Sequence, residues 1–236
     1  MVKFFFLFII LMYLGIAGMQ FFRRVQISGK LIETTTPFSF HPEEWGVGRY
    51  TRILIAGDSL AAGIGSARSE DSIAGRLHRD FPDAEIVNTA KSGAKLAEVI
   101  EQMNTVMGRF DLVVIMGGAN DIIRFHSLQK AESDADIVLK VAKEKGDQVL
   151  WLVSGNIGLA PLWPWPVGPV YTYRTRKYHA IFRALAEKEG IVFINLLKER
   201  ADDVFAKDPA RYYAKDGLHL SSDGYAVWYE AIKEKL

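Results

Sequence analysis

From Thr51 onward the chain repeats one unit: a short apolar run, a glycine or small polar residue, then a stretch with apolar residues at helical spacing. The runs are Arg52–Ala56, Glu85–Val87, Leu112–Met116, Val149–Val153 and Ile191–Ile194. They do not alternate apolar with polar, so each reads as a strand covered on both faces. Helices are expected between and after them, at Ser69–Arg79, Leu96–Val106, Ser133–Lys145, Arg176–Glu189 and Asp223–Lys235. In the third, Ile137, Val138, Val141 and Ala142 share a face, with Ser133 as N-cap; Ser221-Ser222-Asp223 can cap the last. Strand–helix alternation predicts an α/β fold, a parallel sheet of about five strands with helices on both sides.

Three of the strand ends carry chemistry. Gly57-Asp58-Ser59-Leu60 follows the first run, Asn88-Thr89-Ala90-Lys91-Ser92-Gly93 the second, and Gly117-Gly118-Ala119-Asn120-Asp121 the third. The carboxyl edge of such a sheet is where open α/β proteins hold their ligands. Far downstream stands Asp216-Gly217-Leu218-His219. A serine needs a base to become a nucleophile, the base needs an orienting carboxylate, and the developing oxyanion needs donors. Taken alone, Gly-Asp-Ser also fits an ordinary strand-to-helix turn capped by Asp58 or Ser59. Asp58 is read as fixing the turn and Asp121 as a cap or a partner of neighbouring backbone. Of the five histidines, His41, His78, His126 and His179 read as solvated or core-edge groups; only His219 has a carboxylate three residues before it in a loop-like setting.

These motifs resemble, in order, four blocks of the SGNH (GDSL) hydrolase family, over about Arg52 to Leu236. The resemblance implies a flavodoxin-like, three-layer α/β/α sandwich and an acyl-enzyme mechanism. In it Ser59 is the nucleophile, His219 the base and Asp216 its orienter. The oxyanion hole is implied to consist of the Ser59 and Gly93 N–H groups and the Asn120 amide. The expected reaction is cleavage of a carboxylic ester: an acyl lipid, a lysophospholipid or a small acetyl ester. Carbohydrate O-deacetylation, acetyl transfer and an inactive scaffold are the alternatives.

Composition narrows the rest. A net charge of +1 lacks the basic surplus of a nucleic-acid footprint, so no nucleic-acid partner is expected. The absence of cysteine excludes thiolate catalysis and Cys-type zinc sites. No metal-ligand spacing or phosphate-binding glycine loop is present, so neither a metal nor a cofactor is expected. Apolar residues make up 49%, enough for a substantial core.

The N-terminus stands apart. Phe4 to Phe22 is uncharged and strongly apolar. As a helix it would span about 28 Å, near the hydrocarbon thickness of a bilayer. It reads as a membrane anchor or a signal peptide: Gly15-Ile16-Ala17 offers a cleavage signal, whereas Phe21-Phe22 before Arg23-Arg24 suits the interfacial end of a retained helix, which we favour. A cleaved signal would make the protein periplasmic or secreted. The flanking charges do not fix which side of the membrane the rest occupies. The expected organisation is a membrane segment at 1–24, a connector at 25–50 and the hydrolase domain at 51–236. Phe38, Phe40 and Trp45 should pack part of the connector onto the domain.

One segment breaks the alternation. Leu159 to Tyr171 holds four prolines, which argue against a regular helix or central strand. It carries Trp163 and Trp165, read as an acyl-binding wall, a rim that touches the membrane, or a rigid loop packed on the body.

Overall fold

The computed structural model of the protein describes residues 2–43 and 47–236, so the expected packing of Trp45 lies outside the described residues. In chain order the elements are α1 (Val2–Thr34), β1 (Arg52–Gly57), α2 (Ile73–Asp80), β2 (Glu85–Asn88), α3 (Leu96–Asn104), β3 (Phe110–Met116), α4 (Ala119–Ile123) and α5 (Leu128–Lys145). They continue with β4 (Gly146–Leu152), α6 (Val167–Glu189), β5 (Val192–Ile194), α7 (Val204–Lys207), α8 (Pro209–Tyr212) and α9 (Ser222–Lys233).

The five strands form one sheet in the order β2-β1-β3-β4-β5, and every pairing is parallel. Its strands are apolar throughout because both faces are covered. Ile53, Ile55, Leu112 and Val114 point to one side, against α2 and α9; Leu54, Ala56, Val113 and Ile115 point to the other, against α3, α5 and α6. The result is the expected three-layer α/β/α sandwich preceded by an apolar helix. From β1 the chain turns outward to β2 and then crosses to β3 on the other side, so the topological switch point lies between β1 and β3.

Several boundaries differ from the sequence expectation. The helix expected from Ser69 is a short 3-10 turn (Ser69–Asp71) followed by α2, because Ser72 Oγ accepts the Gly75 N–H and caps there. Likewise α5 starts at Leu128, where Ser127 Oγ accepts the Lys130 N–H, not at Ser133. The proline-rich segment ends inside α6, which begins at Val167 and runs through Pro169. Proline is tolerated there because first-turn N–H groups have no intrahelical acceptor.

At the N-terminus α1 continues past Arg24 without a break to Thr34. Residues 25–34 of the expected connector are therefore helical. Beyond them Phe40 exchanges two backbone hydrogen bonds with Ile86, at 2.9 and 2.7 Å, which lays this stretch along the outer edge of β2. Phe38 and Phe40 pack on the core from there. The part of α1 from Phe4 onward is the one helix among the described residues that is long and apolar enough to cross a membrane.

Candidate active site

β1 ends at Gly57, whose φ of +153° and tight contact with β3 exclude a side chain: a Cβ there would lie 1.9 Å from the Met116 carbonyl oxygen. The turn that follows presents Ser59. Asp58 N–H donates to Met116 O at 2.9 Å, and the Asp58 carboxylate accepts the Leu60 N–H at 3.0 Å, which is the turn-fixing role read from the sequence.

On the far side of the site, Asp216 and His219 sit on a loop between α8 and α9. That loop is closed by the antiparallel bridge of Tyr213 with Leu220 and pinned where Leu162 N–H donates to Gly217 O at 2.9 Å. Ser221 caps α9 directly after it, as its sequence suggests.

The side chains meet in a line. His219 Nε2 is 2.9 Å from Ser59 Oγ, and His219 Nδ1 is 2.5 Å from Asp216 Oδ2. The other Asp216 oxygen accepts the Leu218 and His219 N–H groups at 3.0 and 3.1 Å. Burial alone would raise the Asp216 pKa. The hydrogen bond and charge of His219, with the two backbone donors, outweigh it and hold the carboxyl below its ordinary value. A carboxylate is thus present to keep Nδ1 protonated, which leaves Nε2 as the acceptor facing Ser59.

The three remaining expected residues border the same space. Gly93 lines it with a φ of +79°, a left-handed conformation suited to glycine. Neither the Ser59 nor the Gly93 N–H donates a hydrogen bond within the described residues. Asn120 stands at the start of α4, and its Nδ2 donates to Ala94 O at 3.1 Å and reaches Asp58 Oδ2 at 3.4 Å. Asp121, the next residue, turns away and accepts the Leu96 N–H at 3.1 Å, capping α3 rather than facing the cavity. Around these groups lies a cavity of about 190 Å³, whose apolar lining includes Leu60, Ile123 and Leu218.

Trp163 and Trp165 are not brought to this cavity. Trp163 is held off by its own stacking, with ring centroids 4.2 Å from Tyr171 and 6.2 Å from Phe21. Trp165 is 73% exposed, and its carbonyl accepts the Tyr13 hydroxyl at 2.7 Å. The loop is a rim beside α1, not a wall of this cavity. In its place the cavity takes Ser28 and Ile32 from α1, and Arg124 from the end of α4. The sequence reading missed all three. Ile27 with Leu31, and Ser28 with Ile32, keep the four-residue spacing of a helix past Arg24, and that was the available signal. Arg124 belongs to no motif.

The other histidines are accounted for elsewhere. His41 pairs with Glu85, His78 stacks on Phe40, and His179 is buried near Phe193. His126 Nε2 is 3.2 Å from Lys95 Nζ, and its Nδ1 faces Asp121 Oδ1 at 3.3 Å. Asp121, His126 and Asp134 form the one grouping of metal-ligating side chains among the described residues. Its cations are already supplied, since Lys95 meets His126 and Lys130 pairs with Asp134.

A serine, an imidazole and a carboxylate thus stand in line at the carboxyl edge of a parallel sheet, beside its switch point. Residues 55–227 match the GDSL-like lipase/acylhydrolase family. The chain belongs to that family and is an ester-cleaving hydrolase. Among solved structures it is similar to TesA, with TM-score 0.62 and 20% identity, over 78% of this chain and 97% of that one. It is also similar to the psychrotrophic esterase EstA from Pseudoalteromonas sp., with TM-score 0.59 and 18% identity, over 78% and 95%. A third is the acetyl xylan esterase AlAXEase, with TM-score 0.60 and 19% identity, over 78% and 99%. At these identities the likeness is one of fold. No curated protein matches the chain.

Proposed function

We propose that the protein is a serine esterase in which Ser59 attacks the carbonyl of an acyl ester, with His219 as base and Asp216 as its orienter. The reading is carried by one observation: the Ser59–His219–Asp216 relay, at 2.9 and 2.5 Å, borders the same cavity as two backbone N–H groups without acceptors. His219 takes the Ser59 proton as the Oγ–carbon bond forms. The oxyanion receives the Ser59 and Gly93 N–H groups. The Asn120 amide can add a third donor by giving up its 3.4 Å contact with Asp58. Collapse of the tetrahedral species expels the alcohol with the proton from His219, and water attacks the acyl-enzyme by the same route in reverse.

Residues 51–236 are the catalytic domain in this reading, and α1 holds it at a membrane. The apolar lining of Leu60, Ile123 and Leu218 suits the acyl half of the ester. The test is a series of p-nitrophenyl esters from acetate to palmitate, offered to the wild-type protein and to Ser59→Ala. Hydrolysis that disappears in the variant, with an unchanged circular dichroism spectrum, supports the assignment. Equal activity in both proteins removes Ser59 from the mechanism.

A further inference from the structure

A second carboxylate–imidazole pair lies behind the proposed oxyanion hole. The chain leaves α4 through Arg124 and reverses at Phe125, whose φ of +56° is a left-handed conformation uncommon for a residue with a side chain. The reversal is held from outside. Arg174 stacks over the Phe125 ring at 4.2 Å and donates to the His126 carbonyl at 3.2 Å, and that carbonyl also accepts the Tyr178 hydroxyl. From within, the His126 N–H donates to the Asp121 carbonyl at 3.0 Å. With its backbone fixed in this way, His126 turns its imidazole back toward the start of α3.

The two ring nitrogens meet groups of opposite kind. Nε2 is 3.2 Å from Lys95 Nζ, and Nδ1 is 3.3 Å from Asp121 Oδ1. An ammonium donates and cannot accept, so Nε2 is the bare nitrogen and Nδ1 carries the proton. That proton faces a carboxylate oxygen, and no other hydrogen bond among the described residues claims either Nδ1 or Asp121 Oδ1. In this tautomer Nδ1 has no lone pair to offer a metal ion. The remaining acid of the cluster, Asp134, is taken by Lys130.

This relay acts on the segment that carries Gly93. The three residues after Gly93 are each tied to α4 or to the turn beyond it: Ala94 O accepts the Asn120 amide at 3.1 Å, Lys95 Nζ donates to His126, and the Leu96 N–H donates to Asp121 Oδ2 at 3.1 Å. The Gly93 and Asn120 donors belong to different segments, yet both have to reach one oxygen. A donor held more than about 0.5 Å from its productive place loses much of its effect. His126 sets the spacing between the segments. Lys95 hangs from the first, two residues past Gly93, and Asp121 sits on the second, next to Asn120.

We propose that His126 is a positioning residue for the oxyanion hole, and that the Lys95–His126–Asp121 relay holds the Gly93 N–H in register with the Asn120 amide. The inference rests on the serine-esterase reading above. It adds a second imidazole to the working parts of the site, one that stands behind the cavity and touches neither Ser59 nor the substrate. His219 and His126 then share one tautomer, with Nδ1–H toward a carboxylate, and differ in what Nε2 faces: a nucleophile in one case, the anchor of a loop in the other.

The experiment follows p-nitrophenyl butyrate hydrolysis by the full chain in detergent. His126→Ala should lower kcat by about tenfold to a hundredfold, less than loss of a donor itself, with KM held within about twofold. The amide variants separate the two ring nitrogens. His126→Gln puts a carbonyl oxygen where Nε2 stood and can accept from Lys95, so it should recover most of kcat. His126→Asn puts an amide N–H where Nδ1 stood and reaches only Asp121, so it should not. Lys95→Met, at a partly exposed site, should match His126→Ala, and the double variant should be no worse than either single one. Unchanged kcat in His126→Ala and Lys95→Met, equal rescue by Asn and Gln, additive losses in the double variant, or an effect confined to KM overturns the inference. Should His126→Ala fail to fold, the contrast of Gln with Asn and the Lys95→Met variant decide it. Wild-type hydrolysis that disappears in Ser59→Ala preserves the esterase reading whatever these variants show. Hydrolysis that persists in Ser59→Ala, or that is missing from the wild type, brings down both.

Discussion

Asn120 Nδ2 lies 3.4 Å from Asp58 Oδ2, so the proposed oxyanion donor rests against a buried carboxyl. Asp58 is 1% exposed, and burial pushes its pKa up to about 7, against a smaller opposing effect of the Leu60 N–H. Between about pH 4 and 7 the folded protein thus holds a proton that the unfolded chain releases. Its contribution is greatest at the low end of that window and is lost as the pH rises through 7. His179, whose pKa burial lowers to about 4, acts in the opposite direction over part of the same range. The clean measurement is therefore a difference. Asp58→Asn should gain stability relative to wild type on going from pH 5 to pH 8, by a few kcal/mol at most. Parallel denaturation curves at the two pH values would show that Asp58 does not titrate in this window.

Asn120→Ala removes the side-chain donor while leaving the Ser59 and Gly93 N–H groups in place. Loss of one oxyanion donor costs about 10² to 10³ in kcat. We expect a fall of that order on p-nitrophenyl butyrate with KM little changed. A change confined to KM would make Asn120 a ground-state contact instead.

Gly93→Ala tests the other side of the hole. At a φ of +79° a Cβ is strained, by about 1–2 kcal/mol, and it would push on Arg124 Nη2 at 2.8 Å. The guanidinium can move, so the fold should survive with a small loss in denaturation midpoint. Turnover should fall further than stability, because the N–H that borders the cavity shifts with the backbone. Unchanged kcat would remove Gly93 from the oxyanion hole.

Deleting residues 1–24 tests the boundary of the catalytic domain. None of the residues from Phe4 to Arg24 belongs to either core cluster, whereas Leu31 packs on one of them. The shortened protein keeps Ser28 and Ile32 and should remain folded, soluble without detergent and active on short esters. Deletion through Thr34 should raise KM as well, because it opens one side of the cavity. Aggregation of the shorter deletion would mean that Tyr13 and Phe21 support the fold through Trp165 and Trp163.

The layers of this protein were legible because its strands are covered on both faces. Ile53–Ala56 and Leu112–Met116 have no polar alternation to obscure them. Strand beginnings were less so: Phe110-Asp111 and Gly146-Asp147-Gln148 enter the sheet through long-range pairing that local composition does not encode. The residues now proposed for the relay sit in short motifs just past strand ends or before a capped helix, so sequence order alone could find them. The acyl-wall reading of Trp163 and Trp165 arose because they follow a strand on the right edge. Their actual partners, Tyr171, Phe21 and Tyr13, are fixed by packing between residues from 8 (163 to 171) to 152 positions apart. Ser28, Ile32 and Arg124 stayed hidden for the same reason, since a residue that lines a pocket from another element leaves no local pattern.

The 33 residues of α1 form one helix with no proline within it, and the segment that reaches the pocket is its last two turns. A stiff rod of about 50 Å transmits rotation. Contacts at Tyr13, Phe21 and Leu31 tie that rod to the domain along its length, so helix and domain turn together. The orientation of the hydrolase domain is thereby set by the direction of one helix axis, and whatever holds the Phe4 end of that helix also points the pocket.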